Sequence, residues 1–257
     1  MAKQITRIVL TGGPAAGKTT LISRILKEFK QDDGWKVITI PETASELISG
    51  FGIKPFGGCV SMLEFQYFVV ADQLHKEKLA LEAAKKIPEE HVILLYDRAL
   101  FDDKAYVSDE EFRQVLAHFG LTEEQAMAHY DTVLHLVSCA KGAEFAYNFG
   151  NEARYETLEE ARVKDDQTLR AWSRHPNLRV IDNSADFEEK IVRGLRAVYD
   201  AIGRPVSQAV WHKYLIELPT LKTLEDTYRA TGIDMANASD FKLLDRKAVN
   251  VLINMRE

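Results

Sequence analysis

Cysteine is scarce in this chain. Its 257 residues hold two, Cys59 and Cys139, far apart and without metal-ligand spacing. That usage excludes a disulfide scaffold and points to a reducing compartment. The seven histidines show no zinc-like spacing. No apolar run approaches the ~20 residues a membrane helix needs, and no signal-peptide core follows Met1. A cytoplasmic protein without a transmembrane segment is therefore expected. Excess positive charge is also missing: 33 Lys and Arg face 39 Asp and Glu, a formal net charge of −6. General nucleic-acid binding, which requires a basic surface, is not expected. Neither an internal repeat nor a low-complexity tract is visible.

Hydrophobic residues make up 46% of the chain, and the length suffices for one α/β domain with a sizeable core plus a smaller appendage. Short apolar runs read as strands at 7–10, 36–40, 91–97, 132–137 and 178–182. Their near-continuous apolar character suits a parallel sheet covered on both faces. Helices alternate with them. Leu21, Ile22, Ile25, Leu26 and Phe29 form one helical face. Residues 61–86 lack Gly and Pro and read as a long helix. Capping boxes mark helix starts at Ser108 with Glu111, Thr122 with Gln125, and Thr157 with Glu160. A last helix is predicted over 187–202, ended by Gly203 and Pro205. The expected fold is a five-stranded parallel sheet in a three-layer α/β domain over residues 1–203. The appendage, 204–257, reads as one strand near Lys213–Pro219 followed by helical material.

Gly12-Gly13-Pro14-Ala15-Ala16-Gly17-Lys18-Thr19, followed by Thr20, matches G-x-x-x-x-G-K-[ST] between a predicted strand and an amphipathic helix. Glycines there let backbone amides converge on phosphate, and the helix N-terminus adds partial positive charge. The pattern implies a fold of the P-loop NTPase class and a nucleoside triphosphate, ATP or GTP, bound with Mg2+. Lys18 is expected on the β- and γ-phosphates and the Thr19 hydroxyl on the metal. No guanine-reading N-K-x-D motif appears, which mildly favours ATP.

Asp97 ends the third strand, where ligands gather in such folds, and is expected to hold the magnesium shell. Glu42 follows the second strand; it could orient or deprotonate an acceptor hydroxyl, or simply start a helix. Arg98 could clamp a transferring phosphoryl group, or pair with a neighbouring acid such as Asp102. Arg154, Arg162 and Arg170 lie in a polar segment before the fifth strand, and at least one is expected to reach phosphate. Gln66 and Gln73, seven apart on one helix face, could read a nucleobase or an amide.

Leu10–Thr20, Pro41-Glu42-Thr43-Ala44, Tyr96-Asp97-Arg98-Ala99 and Asp182-Asn183-Ser184 together resemble an AAA-type P-loop family. It comprises the ribosylnicotinamide kinase domain of the bacterial NAD regulator and the TRPL translocation defect proteins. The resemblance spans about residues 5–202. It implies Mg-dependent ATP or GTP hydrolysis, or phosphoryl transfer to an unknown small-molecule, nucleoside-like acceptor, as in the similar deoxynucleoside kinases. The TRPL relatives imply the alternative, a nucleotide-dependent switch binding GTP or phosphoinositide. In such proteins a CYTH-like barrel often follows, and Lys213-Tyr214-Leu215-Ile216 resembles its first strand. The barrel's E-x-E-x-K pattern falls here on Ala209, Trp211 and Lys213, so a functional triphosphate tunnel is not expected. An incomplete barrel would leave apolar surface and favour a homo-oligomer.

Overall fold

The structure is a computed structural model. It describes residues 3–30, 34–55, 57–58, 60–144 and 157–204 in full, and the backbone of 211–217, 238–245 and 250–256. The chain divides into two units, Met1–Arg204 and Pro205–Glu257.

In the first unit, five strands, β1 (Gln4–Thr11), β2 (Trp35–Ile40), β3 (His91–Asp97), β4 (Thr132–Leu136) and β5 (Leu178–Ile181), form one sheet in the order β2-β3-β1-β4-β5. All four pairings are parallel. The strands alternate between two cores. Ile8, Leu10, Ile93, Leu95, Leu134 and Leu136 pack under α1 (Lys18–Phe29) and α8 (Phe187–Ala201). Val9, Val92, Leu94, Tyr96 and Val133 face the opposite layer, which holds α3 (Met62–Lys86), α5 (Asp109–His118) and α6 (Glu123–Met127). Trp172, fully buried at the end of α7 (Leu158–Trp172), closes that layer. The result is the expected α/β sandwich, with the carboxyl ends of β1, β2 and β3 adjacent.

The three expected capping boxes are present, and Ser61 with Glu64 supplies another at the start of α3. The helix start read at Glu42 is present as α2 (Thr43–Ser49), with Glu42 as its N-cap residue. The short helix α4 (Leu100–Asp103) escaped sequence reading, being too short to display a hydrophobic period.

In the second unit, β6 (Trp211–Glu217), β7 (Ala238–Asp245) and β8 (Asn250–Arg256) form an antiparallel sheet in the order β6-β8-β7. The expected helical material is absent from 238–245 and 250–256, which are strands; 218–237 lie outside the described residues. Alternation in Asp240-Phe241-Lys242-Leu243 was a period-2 signal, but strands this short are defined by their cross-strand partners. No helix among the described residues is long and apolar enough to cross a membrane.

The contact between α1 and α8 depends on Gly194. A Cβ there would come within 2.7 Å of the Leu21 side chain. Gly194→Val should overpack this seam and lower stability by about 2 kcal/mol, read as the free energy of urea unfolding relative to the unaltered protein.

Candidate functional site: a phosphate loop facing a carboxylate and guanidinium pair

β1 runs into the loop 12–17, and α1 begins at Lys18. The backbone is held in conformations that ordinary side chains resist. Gly12 has φ 138° and a Cβ there would strike the Leu136 carbonyl at 2.0 Å; Gly17 has φ 96°. Among the described residues, the only non-glycine positions with positive φ are Ala15 (55°) and Arg98 (65°). Both lie at carboxyl ends of strands around one site, and strain held in this way is characteristic of ligand-binding loops. Ser138, just past β4, donates from its hydroxyl to the Pro14 carbonyl at 2.5 Å. The Gly13 amide, expected on phosphate, instead donates to Asp165 Oδ1 at 2.9 Å.

Lys18 sits where the loop enters the helix. Burial and the nearby Arg98 bring its pKa down to about 8, with Asp97 and Glu42 opposing. Asp97 ends β3 beside Leu10 of β1. Burial pushes its carboxyl above the usual range, and its Oδ1 has no hydrogen-bond partner among the described residues. A buried carboxylate oxygen left unsatisfied is costly, and a cation would remove that cost.

Arg98 makes the expected ion pair with Asp102 and a second one with Glu42. Its Nε donates to Glu42 Oε1 at 2.8 Å and its Nη1 to Asp102 Oδ1 at 3.1 Å, with the side chain 13% exposed. Asp102 is nearly fully buried and also accepts from the Thr11 hydroxyl at 2.6 Å, the Ala99 amide at 3.0 Å and Trp172 Nε1 at 3.1 Å. Glu42 Oε2 accepts from Ser45. Burial disfavours the Glu42 anion, but Arg98 and Lys18, with the Ser45 bond, outweigh it and hold the carboxyl below its ordinary range.

On the other side of Lys18, a pocket of about 670 Å3 opens between the loop and the segment after β5. Lys18, Thr19 and Thr20 line it, facing Asn183, Phe187 and Lys190. Thr19 and Thr20 are exposed at the first turn of α1. Phe187 is 53% exposed, uncommon for a large apolar ring, and packs against Gly17. Lys190, brought down to about 8 by burial, donates to the Val137 carbonyl and to Asn183 Oδ1.

Arg162 stands on α7 with its guanidinium bonded to the Ala140 carbonyl, Glu144 and Glu159. Arg170 is exposed in the last turn of that helix, and Arg154 lies outside the described residues. Gln66 is buried, with Nε2 on the Met62 sulfur; its Oε1 and that of Gln73 have no hydrogen-bond partner among the described residues. No group of three His, Cys, Asp or Glu suited to a metal occurs among the described residues. Asp102 was legible as a neighbouring acid for Arg98, but Asp165, Ser138 and Lys190 were not, because acids, serines and lysines are common and only tertiary proximity marks these. A glycine at a variable motif position, Gly13, was the one available hint.

The sequence profile of an AAA domain family matches residues 7–190, most of the chain. The chain belongs to that family. No curated protein matches this AAA-domain chain. Among solved structures it resembles thymidylate kinase from Candida albicans, with TM-score 0.54 and 16% identity over 78% of this chain and 93% of that one. At that identity the likeness establishes the shared P-loop fold.

The pKa of Lys18 generates a test of the cradle. The ammonium form attracts phosphate, and bound phosphate would raise its pKa, so binding takes up a proton above pH 8. ATP affinity should therefore fall between pH 7 and pH 9, approaching about tenfold per unit above the lysine pKa. Fluorescent-nucleotide titration at constant magnesium measures this; a flat profile would mean that the loop cation is not on the phosphates.

Proposed function

We propose that this AAA-domain protein is a magnesium-dependent kinase that transfers the terminal phosphoryl group of ATP, or GTP, to a hydroxyl of a small, nucleoside-like acceptor. One observation carries the reading. A fixed carboxylate and guanidinium, Glu42 and Arg98 at 2.8 Å, stand beside Lys18 and Asp97. A module that only binds nucleotide needs the phosphate cradle, but not a strained, buried arginine locked to an ionised acid. The acceptor class rests on the resemblance of these motifs to ribosylnicotinamide and deoxynucleoside kinases.

In this reading the amides of the loop around Ala15–Thr19 and the Lys18 ammonium hold the β- and γ-phosphates. The exposed Phe187 ring offers a face for the base in the adjoining pocket. Thr19 and the unsatisfied Asp97 Oδ1 would hold Mg2+. The metal would neutralise charge on the phosphate oxygens. Glu42, kept ionised by its neighbours, accepts the hydrogen bond of the acceptor hydroxyl, orients its oxygen toward the γ-phosphorus and receives its proton. The new bond joins that oxygen to phosphorus; the bond to the β,γ-bridging oxygen breaks, and the electron pair leaves with the diphosphate. Arg98 holds the moving group while its charge spreads over three oxygens. Arg154 and Arg162 are candidates to close over the phosphates. For Arg162 this requires exchanging Glu144 and Glu159 for the nucleotide.

Two substitutions test the assignment. Lys18→Ala should weaken ATP binding by about a hundredfold or more, since a desolvated cation on two phosphates is lost; affinity within a few fold of the unaltered protein contradicts the cradle. Glu42→Gln should reduce acceptor-dependent turnover by about a hundredfold while ATP affinity stays within about twofold. The acceptor is found by screening nucleosides for added ADP formation. Slow hydrolysis that no acceptor accelerates, coupled to nucleotide-dependent partner binding, would instead favour a switch.

A further inference from the structure

Asp165 is fully buried in the middle of α7, yet it belongs to no expected motif. Its Oδ1 accepts from two backbone amides on separate segments, Gly13 of the phosphate loop at 2.9 Å and Ser138 after β4 at 3.0 Å. His135 Nε2 lies 3.3 Å from that same oxygen, and Lys141 Nζ lies 2.9 Å from Oδ2. Burial opposes the anion, but the neighbouring His135, Lys141 and Gly13 groups overcome it and hold the carboxyl far below its usual range. The negative charge is thereby taken up within the protein rather than presented to the ligand.

Gly13 reports the same contact from the other side. A Cβ there would meet Asp165 Cβ at 2.8 Å, its Oδ1 at 2.9 Å and the Ser138 Cβ at 3.1 Å. Position 13 is a variable place in the phosphate-loop pattern, so phosphate chemistry does not explain its glycine. The close approach of Asp165 does.

We propose that Asp165 is the positioning residue of the phosphate loop, pinning Gly13 and Ser138 on one carboxylate oxygen so that the cradle is shaped before nucleotide arrives. A loop of sequence Gly-Gly-Pro-Ala-Ala-Gly is expensive to order, because glycine loses the most conformational freedom. With Asp165 in place, that ordering belongs to folding and is not charged against binding. Ser138 reinforces it, since its hydroxyl holds the Pro14 carbonyl next along the loop. The inference deepens the reading of this loop as a triphosphate site, and its test separates the two.

Amide exchange in the nucleotide-free, unaltered protein is the first measurement. The Gly13 and Ser138 amides should exchange at least about a hundredfold more slowly than an open chain, as buried bonded amides do; exchange at the open-chain rate overturns the proposal whether or not the protein binds ATP. Asp165→Ala should then weaken ATP and ADP about tenfold and speed Gly13 exchange. Asp165→Asn, which keeps an acceptor oxygen of the same size, should recover most of the affinity. An Asp165→Ala protein that binds ATP as the unaltered chain does overturns the positioning role. So does one whose Gly13 exchange is unchanged while unfolding stability alone has dropped, the signature of a role confined to packing. If the unaltered protein binds neither ATP nor GTP, the kinase reading falls and the exchange result still decides this one.

Discussion

A guanidinium taken out of water must be compensated, and much of this site follows from how Arg98 is. Its partners come from different parts of the fold: Glu42 follows β2, and Asp102 sits in the short helix after β3. Asp102 in turn gathers Thr11 from the end of β1 and Trp172 from the end of α7. Removing one partner of such a buried pair typically costs about 3–5 kcal/mol, a large part of the ~5–15 kcal/mol by which a domain is stable at all. The three strand ends are thus tied together by a term the fold cannot easily relinquish. Arg98 is even held at φ 65°, a conformation that persists only where the surroundings over-determine it.

Lys18 stands at the junction of two environments. Toward α8 it lines an open pocket with Thr19, Asn183, Phe187 and Lys190. Toward α2 and α4 it feels Arg98, Asp97 and Glu42. In the proposed kinase, a phosphate chain along the loop would join the two. The parallel sheet makes this possible by delivering β1, β2 and β3 to one edge, the crevice where ligands bind in open α/β folds. Below that edge the two apolar cores keep the strand ends from moving independently.

Much of the fold was legible because its signals are local and periodic. The long helix over 62–86, the strand 91–97 and the capping boxes at Ser108, Thr122 and Thr157 are each written in a single stretch of sequence. In the appendage, 238–245 and 250–256 are strands where helical material was expected. Segments of seven or eight residues carry too few periods to separate strand from helix until a partner strand is known. The site divides in the same way. Gly12, Gly17, Lys18 and Thr19 announce themselves by spacing, and Asp97 and Glu42 by their place after apolar runs. Asp165, 152 positions from the glycine it holds, announces nothing.

By itself, then, the amino-acid order determined the phosphate loop, the alternation of strand and helix, and which strand ends carry acids, since each depends on neighbours within a few residues. Only the tertiary structure decided that Arg98 bridges Glu42 and Asp102, that Lys190 and Phe187 border the same pocket as Lys18, and that a carboxylate on α7 holds the loop. Those facts rest on burial and on distances between remote segments, which exist only once the two cores have closed over the sheet.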